Sequence, residues 1–330
     1  MPEAFPDAVI SFPMLGESFA LDPARTYTLF GHTFYWYGVI IGLGFLLGVI
    51  FCFRRGPRDF GVSTDTLTDV ILIGMPAMLI GSRILYCLCH YEQYMGQTPG
   101  ETVWNWCRIW EGGSAIAGGI VLTAACVWIY SLIKKIPVGA IADASVFGLM
   151  LGLIVGRWSN FINREYLGTE TTVFCRMGLS AGGNTIYVHP LFLYESLAVL
   201  AAFIALYLWN RKGLRQFDGE ITLMFMLGYS LLRMLLEPLC FSPLVIPGSE
   251  MLATQLVMAG VFSGSACLYF KTIGERKTKE QLYVNQVRSA VSAEAEAPAP
   301  DAAPAAAQAA LPETSAGSEA PAEPADTETT

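Results

Sequence analysis

The chain has 330 residues, 53% of them hydrophobic and only 15% charged, with a formal net charge of −8. Several apolar runs are long enough to cross ~30 Å of hydrocarbon, which makes this a polytopic membrane protein and excludes the soluble classes. The negative charge belongs to the end of the chain. Residues 289–330 hold eight acids (Glu294, Glu296, Asp301, Glu313, Glu319, Glu323, Asp326, Glu328) and no lysine or arginine, so 20 acids meet 20 bases elsewhere.

In chain order, residues 1–33 read as an N-terminal segment outside the membrane. They lack a basic stretch followed by an apolar one, so no cleavable signal peptide is expected. An all-α membrane domain over 34–275 follows, with seven transmembrane helices expected at 34–53, 67–88, 115–133, 138–162, 190–209, 219–237 and 251–270. Residues 276–330 form a cytoplasmic tail. From about 289 it is Ala, Pro, Glu and Thr with few large apolar groups, a composition expected to stay disordered because it buries too little to offset its ordering entropy.

The loop cations set the orientation. With the N-terminus outside, the inner segments carry twelve (Arg54, Arg55, Arg58, Lys134, Lys135, Arg211, Lys212, Arg215, Lys271, Arg276, Lys277, Lys279) and the outer ones four (Arg25, Arg108, Arg164, Arg176). The N-terminus is therefore expected outside and the C-terminus in the cytoplasm. The eight cysteines show no metal spacing and read mostly as small buried apolar groups. Cys89 and Cys107 flank an expected outer loop, where a disulfide is possible but not assignable.

Three arginines fall inside expected spans: Arg83, Arg157 and Arg233. Each costs at least ~2.5–3.5 kcal/mol to insert. One such cation commonly snorkels or pairs with an acid. Three towards the outer ends of helices two, four and six point to an anionic pocket, because a guanidinium grips phosphate or carboxylate at two points. On helix six, Tyr229, Arg233 and Glu237 share one face at four-residue spacing, so Glu237 can hold the guanidinium while Tyr229 supplies a hydroxyl. On helix four, Arg157 neighbours Asn160, and Asn163 and Glu165 follow at the mouth. "HPLFLYES" opens helix five, with His189, Tyr194 and Glu195 near the same surface; His189 reads either as a solvated loop residue or as a site residue. The glycines of "EGGSAIAGG" (111–119) suit close helix packing or approach to a ligand. "YWYG" (35–38) reads as an interfacial aromatic belt.

"GRWSNFINREYLG" (156–168) resembles the signature of the prolipoprotein diacylglyceryl transferases, roughly G-R-x-G-N-F-x-N-x-E-x-x-G. "YWYGVIIGLGF", "SRILYCL", "HPLFLYES" and "GYSLLRMLLEP" follow the same family's order over roughly residues 30–275. The resemblance implies a seven-helix bacterial plasma-membrane enzyme with its site open to the outer leaflet. It would move the diacylglyceryl group of phosphatidylglycerol to the lipobox cysteine of a prolipoprotein signal peptide, leaving a thioether and glycerol phosphate. The implied partners are phosphatidylglycerol, that signal peptide and the bilayer, with no nucleic acid, metal or cofactor. Arg157 would contact the lipid phosphate. Asn160, Glu165 and Gly168 are the other matching signature positions, Tyr37 resembles the helix-one tyrosine, and Tyr229, Arg233 and Glu237 the helix-six set. Arg157, Arg233, Tyr229 and Glu165 are thus the catalytic candidates; Asn160, Gly168, Tyr37, Arg83, Glu237 and His189 join Arg157 as substrate-binding candidates.

The chain departs from the pattern in places. Ala117 stands where the family has a histidine, Ser159 replaces the second signature glycine, Leu191-Phe192 follow Pro190, and the segment after helix six shortens to "EPLCFSPL". The proton of the substrate thiol could then pass to His189, Glu165 or Tyr229. Two other readings stay open: a silent relative that binds the same lipid or precursor, and an arginine-lined anion transporter, against which seven spans do not divide into two equal repeats.

Overall fold

The computed structural model describes residues 8–16, 19–96, 98–241, 252–275 and 278–296. Residue 251 at the start of the seventh expected span, residues 242–244 of the shortened segment, Arg276, Lys277 and the tail beyond 296 lie outside the described residues.

Among the described residues, seven helices are long and apolar enough to cross a membrane. They are α1 (Trp36–Arg55, prolonged by a wide turn over Gly56–Phe60), α2 (Thr64–Cys89), α5 (Ile116–Lys134), α6 (Val138–Asn163), α7 (Leu191–Arg211), α8 (Glu220–Leu236, prolonged by a tight turn over Glu237–Leu239) and α9 (Ala253–Gly274). Short helices α3 (Tyr91–Tyr94) and α4 (Pro99–Cys107) lie between α2 and α5, and α10 (Tyr283–Glu296) follows α9. The protein is a multi-pass, mostly helical membrane protein. Helix α10 continues past residue 289, where composition places the onset of disorder; its "VRSAVSAEAE" sequence is rich in good helix formers.

Several boundaries have a local cause. The Ser63 hydroxyl accepts the Thr66 N–H at 3.2 Å and starts α2. Thr98 does the same for Glu101 at α4. Two long helices end on a non-glycine residue in the left-handed region, α5 at Lys135 and α6 at Arg164, both with φ of 56°.

Close packing at glycine joins the helices in pairs. Between α1 and α6, a Cβ on Gly48 would lie 2.6 Å from the Gly148 carbonyl oxygen. Between α2 and α5, a Cβ on Gly118 would lie 2.3 Å from the Gly81 oxygen, and one on Gly119 would meet Met78. Bare backbones let these helices touch where lipid offers no hydrophobic drive for association. The glycines of "IAGG" are thus packing residues, while Gly112 and Gly113 take positive φ in the loop before α5. The main core lies where α1, α6, α7 and α8 meet, with Phe147 edge-on to Phe203 and Tyr207 and tilted against Phe51 and Phe60. Leu43, Phe45, Leu46, Leu72, Val121 and Phe270 are exposed, as lipid-facing side chains are.

Strands at one end of the bundle are the part not anticipated. β1 (Val9–Ser11) pairs with β2 (Ala20–Leu21) and with β5 (Met177–Ala181), which pairs with β6 (Asn184–Val188), giving a four-stranded antiparallel sheet in the order β2-β1-β5-β6. β3 (Thr26–Leu29) and β4 (His32–Tyr35) form a hairpin leading into α1. Ala8, Ile10, Met177, Leu179, Val188 and Phe192 close a second small core beneath the sheet. The N-terminal segment and the α6–α7 connection therefore fold together, over the ends of the helices that carry Arg157 and Glu195. All eight cysteines are free thiols, Cys89 and Cys107 included.

Candidate active site

The segment 156–168 folds as the last turns of α6 and a tight reversal. Arg164 ends the helix with positive φ, and its side chain is buried. Its guanidinium donates to the Ala8 carbonyl at 2.8 Å, Ile162 at 3.0 Å, Pro23 at 3.3 Å and Asp22 Oδ1 at 2.6 Å. It ties the N-terminal segment to the end of α6. Tyr166 also has a φ of 56°. Such a backbone costs of order 1–3 kcal/mol for a non-glycine residue and persists only where its surroundings enforce it. Here the reversal lays the Tyr166 ring beneath two cations, 4.7 Å from the Arg157 guanidinium and 5.2 Å from that of Arg233.

Those arginines come from α6 and α8 and meet on one carboxylate, Glu195 of α7, which is fully buried. Arg157 donates to Glu195 Oε1, joined there by the Tyr229 hydroxyl at 2.8 Å, and Arg233 donates to Oε2 at 3.1 Å. Arg233 also donates to Glu237 at 3.0 Å and to the Tyr166 hydroxyl. Three helices are thus joined through a single side chain. Ser196, the next residue, fixes the same turn of α7 by donating to the Ile154 carbonyl of α6 at 2.9 Å. A buried carboxylate costs several kcal/mol in lost hydration, and only such a shell offsets it. Burial and the neighbouring Glu195 charge, opposed by the two arginines, raise the Tyr166 pKa, so its phenol keeps its proton at neutral pH.

The two guanidiniums are not exhausted. The Nε of Arg157 is buried and has no hydrogen-bond partner among the described residues. The side chains retain 19% and 14% exposure, so each can still turn N–H groups to an anion reaching the cluster.

The other site candidates fall into two groups. Four lie on the segments that frame the cluster. Glu165 is exposed and accepts from Asn163 Nδ2 at 3.3 Å. Asn160 is half-buried on α6, and its carbonyl takes the Glu165 N–H at 2.9 Å. The N–H of Gly168 donates to the His189 carbonyl at 3.1 Å, and a Cβ at 168 would lie 2.4 Å from that of His189. His189 Nδ1 shares a hydrogen bond with the Tyr194 hydroxyl at 3.3 Å, which lies 3.2 Å from Cys175 Sγ. Two candidates do not join the cluster. Tyr37 is exposed on the first turn of α1. Arg83 is buried, donating to the carbonyls of Asn105, Trp106, Gly112 and Gly113 with its guanidinium over the Tyr94 ring. It shares no partner with Arg157 or Arg233. Backbone carbonyls of the last turn of α4 and of the loop after it satisfy it, so the convergence expected of three arginines holds for two.

Sequence reasoning assigned no role to Tyr166 and none to Glu195 as the hub. The signal for Glu195 lies in the sequence: an acid inside an apolar helix is as costly as a base. Tyr166 carried no such signal, because its position depends on the left-handed turns at 164 and 166.

The family model for prolipoprotein diacylglyceryl transferase matches residues 26–270. The chain is 36% identical over 213 residues to the phosphatidylglycerol–prolipoprotein diacylglyceryl transferase of Bacillus cytotoxicus, covering 62% of this chain and 76% of that protein. It is 32% identical over 240 residues to the Finegoldia magna enzyme of the same name (71% and 92%), and 30% identical over 246 residues to that of Halalkalibacterium halodurans (72% and 82%). The signature, the helices that carry it and these matches together make this chain a member of the prolipoprotein diacylglyceryl transferase family.

Proposed function

We propose that the cluster around Glu195 is where this transferase moves the diacylglyceryl group of phosphatidylglycerol onto a prolipoprotein, with a lipobox cysteine thiol as acceptor. The observation that carries the reading is the meeting of Arg157 and Arg233 on one buried acid with N–H groups to spare. The substrate sulfur attacks the glyceryl carbon bonded to the phosphate oxygen. The C–O bond breaks, its electron pair leaves with glycerol phosphate, a thioether forms, and the thiol proton passes to a base. The developing phosphate charge is where preorganised cations in a dry site act most strongly. Arg157 and Arg233 take that role, Glu195 and Glu237 hold them in place, and Tyr229 fixes the shared carboxylate.

Glu195 is committed to two cations, and Tyr166 stays protonated. His189 is the better acceptor. In the tautomer whose Nδ1–H points to the Tyr194 oxygen, Nε2 carries the lone pair that a proton acceptor needs. Glu165 and Asn160 line the mouth, Gly168 sets the height of His189, Arg83 holds the loop before α5, and Tyr37 faces the lipid. The cation bias supports assigning this end of the bundle to the outer face of the plasma membrane.

The test is direct. The purified chain is incubated with phosphatidylglycerol and a lipobox peptide, and the peptide is weighed. A diacylglyceryl mass gain on the cysteine, lost in Arg157→Ala, supports the reading. No gain with lipid still bound refutes it and favours the silent relative, for which Ala117 supplies the motive.

A further inference from the structure

The end of the bundle opposite the sheets has a feature that lipid transfer does not use. A cavity of about 450 Å³ opens where α1, α7 and the start of α10 meet, lined by Arg55, Arg58, Arg211, Arg215, Lys279 and Arg288. Asp59 is the one acid of its lining. It is already engaged, at 2.9 Å from Arg55 Nε and 2.8 Å from its Nη2.

The floor is Arg215, buried to 3% exposure with its guanidinium 4.7 Å over the Phe60 ring. It is poorly satisfied. Its hydrogen bond, to the Asp59 carbonyl, is 3.4 Å long, its Nη1 has no hydrogen-bond partner among the described residues, and its ion pairs with Asp143 and Asp218 are long, at 3.7 and 3.8 Å. On the rim, Lys279 donates to the Gly213 carbonyl at 2.7 Å and Arg288 to the Arg58 carbonyl at 2.8 Å. Both are thereby held over the opening without losing their charge. Arg58 and Arg211 are exposed, and neither guanidinium has a bonding partner among the described residues. A surplus of cations at one end follows from membrane orientation alone. That rule does not call for a half-satisfied arginine buried at the bottom of a hollow with five more cations around it. Like charges so close repel, and an anion of matching size relieves the repulsion. Guanidiniums around a concavity suit tetrahedral oxyanions, and basic pockets between membrane helices take phospholipid headgroups.

We propose that this cavity binds a phosphate group, carried by the headgroup of an anionic phospholipid in the leaflet at this end or by a soluble organophosphate. The site is separate from the Glu195 cluster and shares no residue with it.

The test compares the full-length chain with Arg58→Gln/Arg211→Gln, both in an Arg233→Gln background chosen to weaken lipid binding at the other cluster. A second control, Lys134→Gln/Lys135→Gln, removes the same charge at the same end outside the cavity. Native mass spectrometry titrates phosphatidylglycerol against phosphatidylcholine. Thermal unfolding is followed in inorganic phosphate against chloride at equal ionic strength. With a lipid headgroup as ligand, Arg58→Gln/Arg211→Gln weakens phosphatidylglycerol retention at least about tenfold, the loss expected of two charge-assisted contacts, and leaves phosphatidylcholine unchanged. With a soluble phosphate, lipid retention is equal but the phosphate-dependent rise in unfolding temperature disappears in the same variant. The proposal is overturned if neither readout changes, or if the Lys134/Lys135 pair weakens binding as much.

Discussion

Glu195→Gln tests the cluster most severely, because shape is kept and charge removed. Glu195 takes three donors, from Arg157, Tyr229 and Arg233. The amide keeps one acceptor oxygen and turns an NH₂ towards a cation, so at least one guanidinium loses its partner. Hydrogen bonds to charged groups contribute about 1.5–3 kcal/mol each, and breaking a buried pair from one side costs about 3–5 kcal/mol. With about 4 kcal/mol lost, and roughly 2 °C per kcal/mol in a chain of this size, the unfolding midpoint should fall on the order of 8 °C. Transfer should fall further, by about 10² or more, because loosened guanidiniums still reach the phosphate but are no longer aligned on its developing charge. Glu237→Gln is the internal comparison. Glu237 holds only Arg233, which keeps Glu195, so its losses should be smaller on both scales. The assays are thermal unfolding by intrinsic fluorescence and the peptide mass assay, both in one detergent. A Glu195→Gln protein within about 2 °C of wild type and fully active would sink the idea that Glu195 organises the site.

Arg157→Lys and Arg233→Lys should each lose at least about 10² in transfer while still inserting and folding, since an ammonium cannot keep the acid and fork onto phosphate together; full activity in either would remove that arginine from the mechanism. Gly168→Ala should cost about 1–3 kcal/mol and lower turnover, because its Cβ must push back His189, including a carbonyl oxygen 2.8 Å away; an unchanged rate would show that the height of His189 does not matter. Arg164→Ala should cost about 3 kcal/mol and expose the first strand to protease, as the Ala8 and Pro23 carbonyls and Asp22 lose their donor. His189→Gln should lower turnover with phosphatidylglycerol binding and the unfolding midpoint kept, while loss of a mere structural hydrogen bond would lower the midpoint and spare turnover.

The helices were legible because lipid imposes one rule, apolar length, that reads directly from sequence. Expected starts at 34, 67, 115, 138, 190 and 219 meet observed ones at Trp36, Thr64, Ile116, Val138, Leu191 and Glu220. The sheet was not legible. Its strands are two to five residues long, too short for a period of two to stand out, and its defining pair joins Val9 to Ser180 across most of the chain. The helix-six pairing of Arg233 with Glu237 was readable because spacing alone decides it. The fate of Arg83 was not, because its partners are backbone carbonyls, and these carry no sequence label. Depth along a helix says where a cation sits, and only packing says what it faces.

That distinction bears on how a nearly neutral cluster can hold a phosphate. Arg157 and Arg233 are balanced by Glu195 and Glu237, so the site carries little net charge before substrate arrives. Two unpaired arginines at this depth would cost several kcal/mol in insertion and would draw in water or any passing anion. The acids reduce that cost and hold the guanidiniums in one orientation. The Tyr166 ring lies against both from the opposite side. An arriving phosphate therefore meets donors already aligned and does not have to organise them, which is the condition under which electrostatic stabilisation of a leaving group is most effective. Weakening the acids should loosen the cations without removing them. Turnover should then fall in Glu195→Gln while phosphatidylglycerol binding persists, and a variant that lost binding and turnover in equal measure would show that the acids serve affinity alone.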